Sequence, residues 1–302
     1  MPLLDPHALA RLETLELRAR SVVEGALAGM HRSPHHGAAV EFAEHKEYSA
    51  GDEIKHIDWK AYGKLDKYYV KRFEEETELR AYLLIDTSSS MGYRGTSLGP
   101  SKLEYAAMLS AALGYLLLEQ KDQVGIIAFA DTLRGYLPPR GRRGHLFDLL
   151  TTLEGLSPSG RTDLGRAVTY LTEVARRRSL VVVMSDLLEE GRDQPSDVVH
   201  LLRGLRARRH DVVVFHLLDH DELTLPFEQT AWFESMEGGG RVLAEPEEVR
   251  RAYLAEMDRF VTGFRKNLGE GDVEYHLVDT STPPASALIA FLDGVARRSR
   301  RG

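Results

Sequence analysis

Ala81-Tyr82-Leu83-Leu84-Ile85-Asp86-Thr87-Ser88-Ser89-Ser90-Met91 opens as an apolar run and closes on a carboxylate and a row of hydroxyls. A run this short, without alternating polar residues, reads as a strand buried on both faces. Its surroundings repeat the pattern. Lys102 to Gln120 reads as a helix whose Ala, Leu, Met and Tyr side chains surround most of its circumference, which marks a largely buried helix. Val124 to Phe129 is a second apolar strand. Ala130-Asp131-Thr132 turns it into Leu133 to Leu137, an antiparallel hairpin partner. Helical periodicity returns at His145 to Leu153 and Asp163 to Arg177, then a strand at Leu180 to Met184 and a helix at Ser196 to Arg208. Val212 to Leu218 is a strand, Arg241 to Ala244 a short one after a glycine run, and Val273 to Val278 another. The helices Glu247 to Asn267 and Ser286 to Arg297 complete the series. Apolar strands alternating with helices predict an α/β fold, a doubly wound and mostly parallel sheet with one antiparallel edge strand.

Upstream the pattern differs. Leu9 to Met30 reads as a helix, with Leu12, Leu15, Ala19, Val22, Val23 and Ala26 near three-to-four spacing, ended by Gly29 and Ser33-Pro34. Gly37, Gly51 and Gly63 then punctuate short stretches carrying Phe42, Tyr48, Trp59, Tyr62, Tyr68, Tyr69 and Phe73, which fits short strands and turns. The expected organisation is an N-terminal helix over 1–34, a small β-rich module over 35–79, and the large α/β domain with a C-terminal extension over 80–302. No internal repeat stands out.

Composition narrows the classes. The chain has 302 residues, 43% hydrophobic and 28% charged, no cysteine and a formal net charge of -7. Without cysteine there is no disulfide framework, thiol nucleophile or Cys-based metal site. No run of roughly 18 uncharged apolar residues is present, so no membrane-spanning helix is expected. Met1-Pro2-Leu3-Leu4-Asp5 lacks the basic and apolar regions of a secretory signal, and a cytoplasmic location is the expectation. Net acidity argues against nucleic acid as a partner. Arg140, Arg142, Arg143 and the run Arg176-Arg177-Arg178 read as solvated loop tips and helix ends.

In open parallel sheets, ligands bind beyond the carboxyl ends of the strands. Asp86, Ser88 and Ser90 follow the first strand in an Asp-x-Ser-x-Ser spacing, and Asp186 follows the strand at Leu180 to Met184. Between them, Ser159-Gly160-Arg161-Thr162-Asp163 sits in a loop before a helix. Two carboxylates and three hydroxyls, Ser88, Ser90 and Thr162, are thus expected at one edge of the sheet. Oxygen donors with few carboxylates suit a hard divalent cation, Mg²⁺ or Mn²⁺. The motif by itself arises by chance in roughly one chain in fifteen of this length; its placement after a buried strand gives it weight. The competing reading makes Ser88 and Ser90 helix caps and leaves Asp86 to bond backbone amides.

Ile85 to Met91, with Thr162-Asp163 and Met184-Ser185-Asp186-Leu187, resembles a von Willebrand factor A domain. The resemblance implies a metal-ion-dependent adhesion site made by Asp86, Ser88 and Ser90 in the first loop, Thr162 in the second and Asp186 in the third. The preceding segment narrows it. Glu47-Tyr48-Ser49-Ala50-Gly51-Asp52, Ile57-Asp58-Trp59 and Val70-Lys71-Arg72-Phe73-Glu74 resemble the bacterial family called domain of unknown function 58. Lys46 stands where that family usually has Arg, and Lys55-His56 precede Ile57, changes that keep charge or polarity. The resemblance implies association with MoxR-type AAA+ ATPases, for which an A-type domain would serve as adaptor or co-chaperone.

The function expected is therefore a metal-dependent protein-interaction module whose partner supplies a Glu or Asp to the metal. It is not expected to be an enzyme, and no phosphate-binding Gly-x-x-x-x-Gly-Lys-Ser/Thr occurs, so an ATPase would be a separate chain. The alternative is a Mg²⁺-dependent hydrolase or phosphatase with Asp86 as nucleophile. Dehalogenase-type phosphotransferases need a second carboxylate two residues later, and Ser88 stands there. His145 and His216 are ambiguous. His31, His35, His36 and His45 read as loop residues, because Pro34 and Gly37 break any helical face that could pair them.

Overall fold

The computed structural model describes residues 6–32, 46–47, 69–70, 79–96, 99–142, 144–189 and 196–299. The chain forms two units, Met1–Gly29 with Leu79–Gly302, and Met30–Glu78. In the second unit β1 (Lys46–Glu47) pairs antiparallel with β2 (Tyr69–Val70). Of the residues expected in the aromatic-rich module, 35–45, 48–68 and 71–78 lie outside the described residues, His35, His36 and His45 among them, whereas His31, expected in a loop, lies within the helix Pro6–Arg32.

The first unit is built on a six-stranded sheet. Its strands are β3 (Arg80–Asp86), β4 (Gln123–Phe129), β5 (Leu133–Arg140), β6 (Leu180–Ser185), β7 (Asp211–Leu218) and β10 (Glu274–Asp279), in the order β10-β7-β6-β3-β4-β5. Every neighbouring pair is parallel except β4 and β5. That is the predicted sheet, with its antiparallel strand at one edge. Pro138 and Pro139 lie in β5, where an edge strand tolerates missing donors.

Successive residues of β3 serve opposite faces. Ala81, Leu83 and Ile85 join one apolar cluster, and Tyr82 and Leu84 the other. The first face is covered by α1 (Pro6–Arg32), α2 (Lys102–Glu119), α3 (His145–Glu154) and α8 (Pro284–Ser299). Leu12, Leu15, Ala19, Val23 and Ala26 of α1 are buried in that cluster, so the N-terminal helix is part of the domain core. The second face is covered by α4 (Leu164–Val174), α5 (Ser196–Ala207) and α7 (Pro246–Glu270), through Leu171, Leu202, Phe264 and Leu268 among others. Helix α4 stops at Val174, short of Arg177, because Ala175 leaves helical geometry and the chain must turn back into β6.

Two features lie outside the sequence expectation. A short helix, α6 (His220–Thr224), follows β7 and is capped by Asp219. A separate antiparallel ribbon joins β8 (Ala231–Glu234) to β9 (Arg241–Ala244). Only β9 had been expected.

From β3 the chain builds outward through β4 and β5, then returns to the other side of β3 as β6. The carboxyl ends of β3 and β6 therefore flank the point where the winding reverses, the crevice in which open α/β sheets bind ligands. Among the described residues, no helix is long and apolar enough to cross a membrane.

Candidate functional site

Asp86 closes β3 and has no solvent exposure. Its Oδ1 accepts the Ser88 N–H at 2.9 Å, and its Oδ2 accepts the Ser185 hydroxyl, from the end of the neighbouring β6, at 2.6 Å. Beyond it a 3₁₀ turn runs over Ser89–Gly92. Ser88 precedes this turn but makes no capping bond to it; its Oγ lies 3.0 Å from Ser90 Oγ. Helix α2 has its own cap, Ser101, which forms a reciprocal capping box with Glu104. The capping alternative for Ser88 is thus not what the geometry uses, although the Asp86 bond to a backbone amide is present.

The loop carrying Thr162 is laid against this turn by two backbone bonds, Ser159 N–H to Thr87 O at 2.8 Å and Ser89 N–H to Gly160 O at 2.9 Å. Gly160 makes that approach with a φ of +80°, and a Cβ there would stand 2.7 Å from the Asp131 carboxylate and the Arg134 guanidinium. A larger residue would push the loop away. Thr162 is buried, and the neighbouring Asp163 serves instead as N-cap of α4, accepting the Arg166 N–H at 3.1 Å.

Asp186 follows β6 and is also fully buried. Its Oδ1 accepts the Leu188 N–H at 3.1 Å, and its Oδ2 accepts the Lys102 ammonium at 2.8 Å. Lys102, the first residue of α2, is itself without exposure and also reaches Glu222 Oε1 at 2.7 Å. Burial works against its charge, but Asp186 and Glu222 outweigh that and hold the ammonium above its ordinary pKa. His216 on β7 braces the same strand end from below. Its Nε2 lies 2.8 Å from Asp186 O, a pure acceptor, so Nε2 carries the proton. Nδ1 then accepts the Tyr275 hydroxyl at 2.7 Å. Burial lowers the His216 pKa to about 4, which keeps the ring neutral in this role. His145 is buried with Nε2 2.6 Å from Val124 O, away from the strand-end cluster, and acts as a packing residue of α3.

Burial first, and the charge of Asp186 second, push the Asp86 carboxyl up to about 7, against the hydrogen bonds from Ser185 and Ser88. Two buried carboxylates side by side favour either a proton or a cation. The donors are all hard oxygens, and no group of three or more His, Cys, Asp or Glu stands together as a metal cage among the described residues. A cation here would therefore depend on the hydroxyls of Ser88, Ser90 and Thr162, a donor set that fits Mg²⁺ or Mn²⁺ better than a soft metal.

Two contributors were not foreseen. In the sequence Lys102 stands out only as the start of a helix. Glu237, in the turn of the β8–β9 ribbon, accepts the Thr162 hydroxyl at 3.0 Å through Oε1 and the Thr162 N–H at 3.3 Å through Oε2. Its only sequence signal was its place before the glycine run 238–240. Of the basic residues at loop tips and helix ends, Arg142 pairs with Asp148 and Arg178 with Asp211.

The fold is an α/β domain with a mostly parallel six-stranded sheet, and Asp86 and Asp186 lie buried at its switch point. More particularly, the chain belongs to the family described as "Protein of unknown function DUF58", whose model matches residues 44–260. Among curated proteins it is similar to Uncharacterized protein Rv1480 of Mycobacterium tuberculosis, 29% identical over 225 residues that span 74% of this chain and 68% of that protein. Uncharacterized protein Mb1516 of Mycobacterium bovis matches to the same extent, 29% over 225 residues. Similar solved structures include the conserved hypothetical protein BatB from Bacteroides thetaiotaomicron, with 21% identity, 72% of this chain and 99% of that one, and a TM-score of 0.46. Another is the SpRpn10 VWA domain, with 12% identity, 70% and 93% coverage, and a TM-score of 0.41.

Proposed function

We propose that this protein is a metal-dependent protein-interaction module. Asp86, Ser88, Ser90, Thr162 and Asp186 would hold Mg²⁺ or Mn²⁺, and a partner protein would supply a Glu or Asp. When bound, the cation would supply a Lewis-acidic position that favours an incoming carboxylate. The observation that carries the reading is the juxtaposition of buried Asp86 with the paired hydroxyls of Ser88 and Ser90, 3.0 Å apart. The Ser88 and Ser90 hydroxyls lie against each other and Asp86 accepts the Ser185 hydroxyl, so several oxygen lone pairs gather at this strand end. The residue two places after Asp86 is Ser88, which supports binding over phosphoryl transfer. His216, with both ring nitrogens engaged, supports the strand end and is no general base. The family resemblance supplies the partner class: a MoxR-type AAA+ ATPase, with this chain as adaptor or co-chaperone.

Calorimetric titration of Mg²⁺ or Mn²⁺ tests the site. The wild type is expected to bind, and the Asp86→Ala/Ser88→Ala double variant is expected not to bind while keeping its circular dichroism. Capture of a purified AAA+ ATPase should then be lost on adding EDTA and in Asp186→Ala. Equal metal binding by wild type and double variant would overturn the assignment.

A further inference from the structure

Glu237 is a carboxylate delivered to the candidate metal site from outside the strand-end set. It lies 75 residues beyond Thr162 in the chain, yet both of its oxygens are bonded to Thr162. It shares a cavity of about 500 Å³ with Ser90, beside Leu188. The turn that carries it is held by Arg161, whose Nε donates to Glu237 O at 3.1 Å, and by Ser235 N–H to Gly240 O at 2.9 Å. Thr162, to which the Glu237 carboxylate is bonded, is itself one of the residues proposed to hold the cation, so an anionic side chain at this point would gain most when a cation is bound there.

We infer that Glu237 is a built-in ligand: in the resting chain it occupies the position that a partner's Asp or Glu would take. The inference rests on the metal-site reading above and adds its regulation. The ribbon is suited to release. It is two-stranded and separate from the main sheet, and its turn passes through Gly238 at φ +94° and Gly240 at φ +99°. Ribbons of this kind are marginal by themselves. Because Glu237 is tethered, it acts at an effective concentration in the millimolar range. Isolated acidic peptides would then compete poorly, and only a partner that adds contacts of its own would displace the turn. The inferred partner therefore presents one carboxylate and a further surface, and its binding swings the ribbon tip away from Thr162.

The test compares full-length wild type with Glu237→Gln, which keeps the size and removes the charge. Mn²⁺ is titrated by calorimetry and followed by water-proton relaxation. Glu237→Gln is expected to bind Mn²⁺ about tenfold more weakly and to show a larger relaxation enhancement per bound ion, because water fills the position left open. Millimolar acetate should restore affinity in Glu237→Gln and leave the wild type unchanged. Equal affinity and equal enhancement in both proteins would overturn the inference while leaving the metal site standing. A wild type that binds no Mn²⁺ would overturn the metal-site reading and this inference with it. A Glu237 that merely pins the turn would change hydrogen exchange in the ribbon but neither Mn²⁺ measurement.

Discussion

The strand ends and the ribbon that meets them are built on opposite physical terms. From Ala81 to Asp86 every residue of β3 is buried, and the carboxylates at the ends of β3 and β6 are clasped by hydroxyls, amides and a buried ammonium. The ribbon exposes Trp232 at 58%, Val242 at 66% and Leu243 at 53%, with Arg241 lying over the Trp232 ring at 4.6 Å. The strand ends are held by the core of the domain. The ribbon is held by a handful of contacts, including the Phe227–Phe233 ring contact at 5.8 Å and the bonds at Glu237. A rigid floor keeps donor oxygens at fixed separations, which selective cation binding needs. A thin cover can be displaced without unfolding anything else.

The largest effect should come from breaking the floor. Lys102→Met removes the charge that Asp186 and Glu222 share and leaves buried carboxylates unpaired. The expected loss is about 3–5 kcal/mol, read as a lower urea midpoint with an unchanged slope. A loss below about 1 kcal/mol would mean that the ammonium's burial cost cancels its attraction.

A smaller effect should come from the ribbon. Gly238→Ala places a side chain at φ +94°, a conformation that costs roughly 1 kcal/mol for a non-glycine residue. The cost should be local. Amide exchange at Thr162, whose N–H donates to Glu237, is expected to quicken about fivefold, with global stability unchanged within about 0.5 kcal/mol. A global loss as large as that of Lys102→Met would erase the distinction between floor and cover.

The smallest effect belongs to the rim. His220 Nδ1 is 2.8 Å from Asp279 Oδ2, and the carboxylate holds the imidazole above its ordinary pKa. A raised folded pKa means that the stabilisation is complete below about pH 6.5, the unfolded value, and is lost as pH rises through the folded value. His220 is exposed, so solvent screens the pair. Thermal melts of wild type and His220→Gln should differ slightly at pH 5.5 and coincide by pH 8.5. A difference that grew with pH would contradict the assigned sign.

Most of the floor was legible beforehand because its signals are local. Val, Ile and Leu runs marked β3, β4, β6 and β7, and Asp86, Ser88, Ser90 and Asp186 follow directly on two of those runs. Thr162 follows no strand, and it was marked by its loop before a helix together with the resemblance to a von Willebrand factor A domain. The cover was not legible. Ala231-Trp232-Phe233-Glu234 is too short for a periodic pattern, and Glu237 looks like any acidic residue beside a glycine turn. Lys102 was hidden for another reason: the helical pattern explains its position while saying nothing of what its ammonium meets. The burial of α1 was similarly out of reach, since its amphipathic spacing shows that it packs but not against what.

Taken by itself, the sequence determined the α/β alternation, the antiparallel edge hairpin and the placement of oxygens after β3 and β6. These follow from backbone geometry and side-chain periodicity within a few residues. Only the tertiary structure decided which charges face one another. Lys102 meets Asp186 across 84 residues and Glu222 across 120, and Glu237 meets Thr162 across 75. Electrostatic and hydrogen-bond partners are fixed by distance in space, and distance in space between remote segments exists only once the sheet has brought its strand ends together.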